Sequence, residues 1–407
     1  MSISLFKFLY KYFFIICYYI FKLISPIINI RLLEIETRAI GHLSEPLEIF
    51  ILEKKRGFIK KNFFDIYFGQ NEVANEFLWS KWKEILNLYF NDKIKRKFFG
   101  PIFRIALAKK DKNMLIPFRY FEPENKKYYN QTFDINDVLK NEKPRTFFSK
   151  EEEKNALNIL KKFNIKENDK IILLCNRDPI YRYFKKLNYE NFIKNNKSVE
   201  MDIPNYGHRD QYINDYDLGV KFLCDHNYKV IRMGRNMHER LKLKHDNFFD
   251  YAFSEIKSDM MDIYLHKICK FVISSQTGIE SPATLFRKKI FFVNYNEFFL
   301  FHNYNYSTVF PKKFFYKQNE EELDICDIYK ELSHNNFVPD YDKLGIRYKN
   351  LERSEIKLAF TEIVKNYENG IDAETIKLND ALKKKLYEKT GLKYNFFFNK
   401  QYLKLYY

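Results

Sequence analysis

The sequence predicts an α/β protein: two domains built on parallel sheets, behind a hydrophobic N-terminal helix. Three observations carry this. Short apolar strands alternate with helical spacing from residue 170 to residue 294. Alternation of that kind produces a parallel, doubly wound sheet. A second, shorter alternation occupies residues 31–90, and residues 3–24, ISLFKFLYKYFFIICYYIFKLI, are almost wholly aromatic and aliphatic. At 407 residues the chain has length for two or three domains. Hydrophobics at 46% and charged residues at 30% describe a folded body, and only 11 Gly and 11 Pro argue against long flexible linkers.

The front segment, residues 1–30, reads as a membrane-surface anchor. Its longest uninterrupted apolar run, Tyr12–Phe21, is ten residues, about half of the roughly 20 that a spanning helix needs. At roughly 100° per residue, Lys7, Lys11 and Lys22 share one narrow sector with Ser4 and Ser25. A basic stripe on an otherwise apolar helix suits an in-plane position at anionic lipid. Pro26 then breaks the helix. The alternatives are a signal anchor over residues 12–30 and a core helix. A cleaved signal peptide lacks its small-residue cleavage site.

The first domain is expected over residues 31–160. Arg31–Arg38 reads as a strand and Gly41-His42 as a turn. Ser44-Glu45-Pro46 carries the cap-like residues and early Pro of a helix start. Phe64–Phe68 reads as a second strand and Glu72–Phe90 as a long amphipathic helix. The second domain, residues 165–345, opens on strand Lys170–Asn176, followed by a long segment, helix 210–226 and strand Lys229–Gly234. Residues 346–407 hold helices near 354–368 and 379–389, with Gly370 and Gly391 as C-caps.

Residues 259–294, DMMDIYLHKICKFVISSQTGIESPATLFRKKIFFVN, are the most informative stretch. They scan as helix, strand, turn, helix, strand. The turn, Ser274-Ser275-Gln276-Thr277-Gly278, opens the next helix. A strand that ends in small hydroxyl residues and runs straight into a helix points free N–H groups outward, which makes an anion site. In open α/β sheets ligands sit at the carboxyl ends of strands. Arg177 follows its strand immediately and so stands at such an end.

This stretch resembles the nucleotide-binding segment of GT-B glycosyltransferases. It is similar to the D-x-x-L…C-x-(F/Y)-x-(I/V)-x-(S/T)-S pattern of α-1,6-fucosyltransferases and protein O-fucosyltransferases. It is closer still to glycosyltransferases found in bacterial surface-polysaccharide gene clusters. Arg38-Ala-Ile-Gly-His-Leu43, Cys175-Asn-Arg-Asp178, and His208-Arg209 with Val230-Ile-Arg-Met-Gly234 extend the resemblance, in the family's order, across residues 36–295. The resemblance implies two Rossmann-like domains (GT-B), with the acceptor on the first and a nucleotide-sugar donor on the second. It implies donor contacts at Gly41, Arg177, Asp178, Arg209, Arg232, Gly234, Asp262, Ser274, Ser275, Thr277 and Gly278. Arg177 resembles the diphosphate-binding Arg of the fucosyltransferase H-x-R-R-x-D segment, although Asn176-Arg177-Asp178 lacks the His and the doubled Arg. His42 and Glu45, at the first strand–helix turn, are candidates for the general base that meets the acceptor hydroxyl. In GT-B enzymes the C-terminal helices cross back to the first domain.

Each residue also has a plainer reading. Arg177 and Asp178 could form a surface pair. Arg232, inside an apolar strand, needs a buried partner, Asp250 or Asp262, or else reaches the cleft. Asp262 is a ribose or turn-positioning carboxylate, or a helix-surface one. His42 is a turn histidine. The G-x-G-x-x-G fingerprint, the P-loop and HExxH are all absent, which disfavours dinucleotide, P-loop and zincin chemistry. Asp215-Tyr-Asp217 and Asp340-Tyr-Asp342 match the Asp-x-Asp of metal-dependent glycosyltransferases, but about one such match arises by chance and both read as surface. No metal or other cofactor is expected. The five Cys include no CxxC pair, which suits a reduced compartment.

The net charge of +17 favours nucleic acid, anionic membrane or a phosphorylated substrate, or is simply a solvated Lys surface. The Lys residues are spread along the chain without a nucleic-acid motif, and an anionic donor plus a membrane accounts for the same charge. The expectation is a peripheral enzyme at the cytoplasmic face of the inner membrane, acting on a glycan or lipid-linked acceptor. A nucleotide-sugar epimerase, a nucleic-acid-binding protein and an inactive glycan-binding relative are the rival readings.

Overall fold

A computed structural model describes residues 3–60, 62–86, 88, 92–116, 134, 136–180, 206–296, 308–332, 340–390 and 397–404. The chain divides into two compact units, Met1–Asn125 and Lys126–Tyr407.

The second unit holds a seven-stranded sheet among the described residues. Its strands are β3 (Lys170–Cys175), β4 (Tyr228–Met233), β5 (Phe248–Phe249), β6 (Phe271–Ser274), β7 (Lys289–Tyr295), β8 (Thr308–Pro311) and β11 (Phe397–Phe398). The order is β11-β8-β7-β6-β3-β4-β5, and every pair is parallel. From β3 the chain winds outward through β4 to β5. It then returns to β3's other side and winds the opposite way through β6, β7 and β8. The reversal falls between β3 and β6. The central strands are buried on both faces, so β3 and β6 read in sequence as continuous apolar runs rather than alternating ones, and β4 does so apart from Lys229 and Arg232. A separate antiparallel pair joins β9 (Lys313–Tyr316) to β10 (Ile346–Lys349).

Helices cover the sheet. On one face α6 (Asp217–Asp225) and α8 (Arg353–Asn369) pack Val220, Leu223, Phe360 and Ile363 onto Ile172, Leu174, Val230 and Ile273. Helix α7 (Asp259–Ile268) packs against β3 and against α5 (Lys150–Lys161). Helix α5 begins on a capping box at Ser149 and Glu152. The first domain was expected to reach residue 160, but α5 belongs to the second unit: Lys267 of α7 pairs with Glu153, and the Phe148 ring meets Tyr264 edge-on at 5.3 Å. The buried face of α8 is taken up by α6 and β7 of the same unit. Helix α9 (Ala373–Thr390) follows, after Gly370 at φ 80°.

In the first unit β1 (Ile30–Ile35) and β2 (Phe64–Gly69) pair in parallel, and Leu115 bridges to Leu32. Arg31 and Asp65 are register partners and form a buried ion pair at 2.8 Å, which Lys54 joins from α2 (Ile40–Arg56). Three sequence expectations fail here. Gly41 and His42 form no turn: α2 begins at Ile40, and Pro46 lies inside it. Ser44 is no cap, because its hydroxyl donates back to the Ile40 carbonyl at 2.7 Å. Helix α3 runs only from Glu76 to Ile85, because the Asn75 side chain caps the Leu78 N–H at 2.8 Å and starts it late. The Trp82 indole then donates to the Leu43 carbonyl at 2.7 Å, tying α3 to α2.

The N-terminal helix α1 (Ile3–Ile28) packs on α4 (Asp92–Ala108). Phe14 and Tyr18 join Phe68, Ile102 and Phe103 in the core. The Tyr18 hydroxyl donates to Asp111 at 2.7 Å, and Lys22 pairs with the same carboxylate at 3.0 Å. The Lys stripe was expected to face lipid. At roughly 100° per residue its sector is instead the one that packs on the protein, since Phe14, Tyr18 and Ser25 are the buried residues. Lys7 and Lys11 are exposed on the same side, nearer the helix start. The opposite face is apolar and open: Leu9, Ile16, Ile20, Leu23 and Ile27 are 49–83% exposed. By length and composition, Lys7–Ser25 could cross a membrane, a possibility that the ten-residue apolar run had argued against.

Gly219 fixes the approach of α6 to α8. A Cβ there would stand 2.8 Å from the Phe360 ring. Gly219→Val should cost about 1–3 kcal/mol, as overpacking does. Chemical denaturation checks this; an unchanged midpoint would show that the two helices can move apart freely.

Candidate functional site

The reversal between β3 and β6 falls at the strands' carboxyl ends, the position where open α/β sheets bind ligands. Cys175 and Ser274 are register partners there. The Ser275 N–H donates to the Cys175 carbonyl at 3.0 Å, and the Ser275 hydroxyl accepts the Arg177 N–H at 2.9 Å. The segments leaving the two strands are therefore stitched together, and Arg177, 5% exposed, stands directly beside the Ser/Thr turn.

Arg209 joins them. It ends the 3-10 turn Tyr206–Arg209, and its guanidinium donates to the Gln276 carbonyl. Buried neighbours hold this segment in place. Asn296 donates to the His208 carbonyl at 2.6 Å, Lys312 donates to the same oxygen, and Gln211 donates its N–H to the Arg177 carbonyl at 2.9 Å. The structure thus brings Arg177, Arg209, Ser274, Ser275, Thr277 and Gly278 to one edge of one sheet.

The turn itself differs from expectation. It does not run straight into a helix; a single helical turn, Pro282–Leu285, begins four residues after Gly278. Its N–H groups have internal acceptors. Those of Thr277 and Gly278 donate to the Glu280 carboxylate at 3.2 and 2.8 Å, and the Thr277 hydroxyl donates to the same oxygen at 2.7 Å. Gln276 N–H goes to the Ser274 hydroxyl and Ile279 N–H to that of Thr277, both at 3.1 Å. Sequence reading missed Glu280. Its signal was a carboxylate two residues beyond a Thr-Gly turn.

Arg232 is fully buried on β4. It donates to the Asn176 side chain at 3.1 Å and the Glu239 carbonyl at 2.6 Å, and it lies 3.5 Å from Asp250 and 3.9 Å from Asp178. Burial lowers its pKa, and the two carboxylates oppose this. Its partners are Asp250 and Asp178, so it is a core residue rather than a cleft one. Asp178 is buried too and accepts the Ile180 and His238 N–H groups at 3.0 and 2.9 Å, so it makes no surface pair with Arg177. Asp262 is no helix-surface carboxylate: it is 1% exposed and accepts from Tyr251 at 2.7 Å and from Arg235 at 2.8 Å. Burial raises its pKa, against the pull of Arg235. Arg235 also pairs with Asp259 and was overlooked, although it follows Gly234 directly. Gly234 has φ 155°, and a Cβ there would overlap Met237 at 2.0 Å.

Gly41, His42 and Glu45 belong to the first unit. All three lie in the first two turns of α2. The His42 Nδ1 is 3.6 Å from the Glu36 carboxylate, with a third of the side chain exposed. Glu45 is buried. The Asp-x-Asp pairs have partners among basic groups: Asp217 binds Arg353 at the start of α6, and Asp342 pairs with Lys317 at 2.5 Å. Among the described residues no three His, Cys, Asp or Glu gather as a metal-binding group.

An open groove of about 1040 Å³ adjoins the site and is lined by Asp210, Tyr212, Asp215, Tyr348, Asn350 and Glu352. Neither Arg177 nor the turn lines it. Its link to them is Gln211, which reaches the Arg177 carbonyl through its N–H and accepts from Asn294 at 2.7 Å. No family model, curated protein or solved structure matches the chain.

Lys312 is 1% exposed, and burial pushes its pKa down to about 7. The unfolded chain binds this proton up to pH near 10.5, so between about pH 7 and 10.5 the unfolded state holds more protons and stability rises with pH. The cost of the buried charge is present in full below pH 7. Lys312→Met should therefore raise Tm relative to wild type more at pH 6 than at pH 9.5. Equal differences at both pH values would mean that the ammonium is solvated.

Proposed function

We propose that this protein is a glycosyltransferase of the two-domain GT-B arrangement, moving a sugar from a nucleotide-sugar donor to a membrane-linked or cell-surface glycan. One observation carries the reading: a parallel sheet reverses its winding between β3 and β6, and Arg177 and Arg209 stand there beside a hydroxyl-rich turn. That is where an α/β sheet takes a ligand, and two guanidinium groups suit a diphosphate.

In this mechanism the donor's pyrophosphate lies against Arg177, Arg209 and the turn. Negative charge grows on the leaving phosphate as the glycosidic bond breaks. Fixed guanidinium donors stabilise that charge more than they stabilise the ground state, which accelerates the step. The first unit receives the acceptor, and His42 or Glu45 removes the proton of its hydroxyl. The two Arg residues supply positive charge without a metal.

Helix α1 supports a membrane-linked acceptor. Its apolar face, opposite the side packed on α4, enters the cytoplasmic leaflet in-plane, and Lys7 and Lys11 meet anionic headgroups. An epimerase of the same fold would share the nucleotide site but has no use for such a face.

Thermal-shift screening of the full-length protein against UDP, GDP, CDP and CMP should raise Tm with at least one of them, with or without EDTA. Arg177→Ala should then lower kcat by roughly a hundredfold, about 3 kcal/mol of transition-state stabilisation, while Tm holds. Arg177→Lys should recover only part, because it lacks the bidentate fork. Activity within a few-fold of wild type would remove Arg177 from the site. A loss of binding on chelation, restored by manganese or magnesium, would reject the metal-free mechanism. A product that is an epimerised donor would replace transfer with epimerisation.

Membrane attachment has its own measurement. Ile16→Lys with Leu23→Lys changes only exposed positions, so the fold should survive while binding to anionic vesicles falls at least tenfold. Resistance of the wild type to carbonate extraction would show instead that α1 spans the bilayer.

A further inference from the structure

The turn after β6 is already occupied by an anion that belongs to the chain. One carboxylate oxygen of Glu280 takes the N–H groups of Thr277 and Gly278 and the Thr277 hydroxyl. Glu280 is 5% exposed. Successive backbone N–H groups and a hydroxyl converging on a single oxygen is the geometry that a nest offers a phosphate oxygen. Among the described residues, and apart from its own chain neighbours, no atom lies within 4 Å of where a Cβ on Gly278 would stand. Gly278 sits at φ 93°, a conformation that suits glycine and keeps that approach clear.

We propose that Glu280 is an internal competitor for the donor's phosphate, holding the turn's donors in the free protein and releasing them when a phosphate enters. The proposal rests on the nucleotide-donor reading only for the identity of the incoming anion. The exchange is a substitution of one anion for another. The carboxylate leaves with a single charge and is solvated, and the phosphate brings up to two charges and more acceptor oxygens. Apparent affinity is then reduced by the fraction of molecules in which Glu280 has withdrawn. A multiply charged pyrophosphate can bear that reduction, helped by Arg177 and Arg209, whereas a singly charged anion cannot. The same competition assists release, because Glu280 retakes the turn as a nucleotide product departs. Glu280 is thus a residue that tunes anion selection and product exchange, not one that touches the reacting atoms.

The test is titration calorimetry on full-length wild type, Glu280→Gln and Glu280→Ala, with inorganic pyrophosphate and with UDP, GDP and CDP as probes. Both variants should bind pyrophosphate roughly tenfold more tightly than wild type. Equal or weaker binding in folded variants would overturn the proposal, since a purely structural Glu280 would only loosen the turn on removal. Tighter pyrophosphate binding with no nucleotide binding in any form would keep Glu280's role and reject the donor reading. Nucleotide binding that is identical in all forms would do the reverse. A measurement on the wild type covers the case in which a variant does not fold. The side-chain carboxyl carbon resonance of Glu280 should move on saturation with pyrophosphate, and a resonance that stays in place would overturn the proposal.

Discussion

The candidate site depends on one small interaction, the double use of Ser275. Its N–H extends the β6–β3 ladder by donating to Cys175, and its hydroxyl accepts the N–H of Arg177, two residues beyond β3. Parallel strands that are neighbours in space but distant in sequence have no short loop to hold their ends in register. Here a single side chain does so, where the winding of the sheet reverses. Gln211, Arg209 and the Ser/Thr turn are all positioned from that point.

Around it the protein buries charge to an unusual degree. Arg232 with Asp178 and Asp250, Asp262 beneath an exposed Arg235, and Lys312 beneath the His208 carbonyl all sit near the carboxyl ends of the strands. Buried ion pairs add little net stability against an apolar alternative. They do demand a particular geometry, because an unpaired buried charge is costly. The cluster therefore behaves as a rigid frame for the loops at the sheet's edge. Shifted titratable groups gather where sites are built: burial lowers the Lys312 pKa and raises those of Asp250 and Asp262.

The central strands were legible in sequence because parallel strands buried on both faces leave apolar runs, as β3, β6 and β7 do and as β4 does apart from Lys229 and Arg232. Arg177's position followed from the strand ending before it. That Arg232 needed a buried partner was equally readable, and Asp250 was one of the two named. Other features depend on side chains that local pattern does not expose. The start of α2 was misplaced because Ser44 and Pro46 look like a cap and a first-turn proline, while tertiary packing extends the helix back to Ile40. The late start of α3 hangs on one Asn75 hydrogen bond. The turn's amides were expected to be free because a sequence shows N–H groups but not the Glu280 side chain that folds back on them. The wheel of α1 showed which residues share a side, not which side the protein would cover.

That last point gives α1 a mechanical character. Tyr18 and Lys22 both fasten to Asp111, and Phe14 is part of the first unit's core. The helix is thus a foot rather than a tether. A tether leaves its cargo free to roll over a surface, whereas a foot sets the tilt and height of the body above it. Whatever takes up the open face of α1 is also linked thermodynamically to the folding of the whole first unit. Its binding free energy is added to that unit's stability by mass action. Where the unit sits and whether it holds together become the same equilibrium.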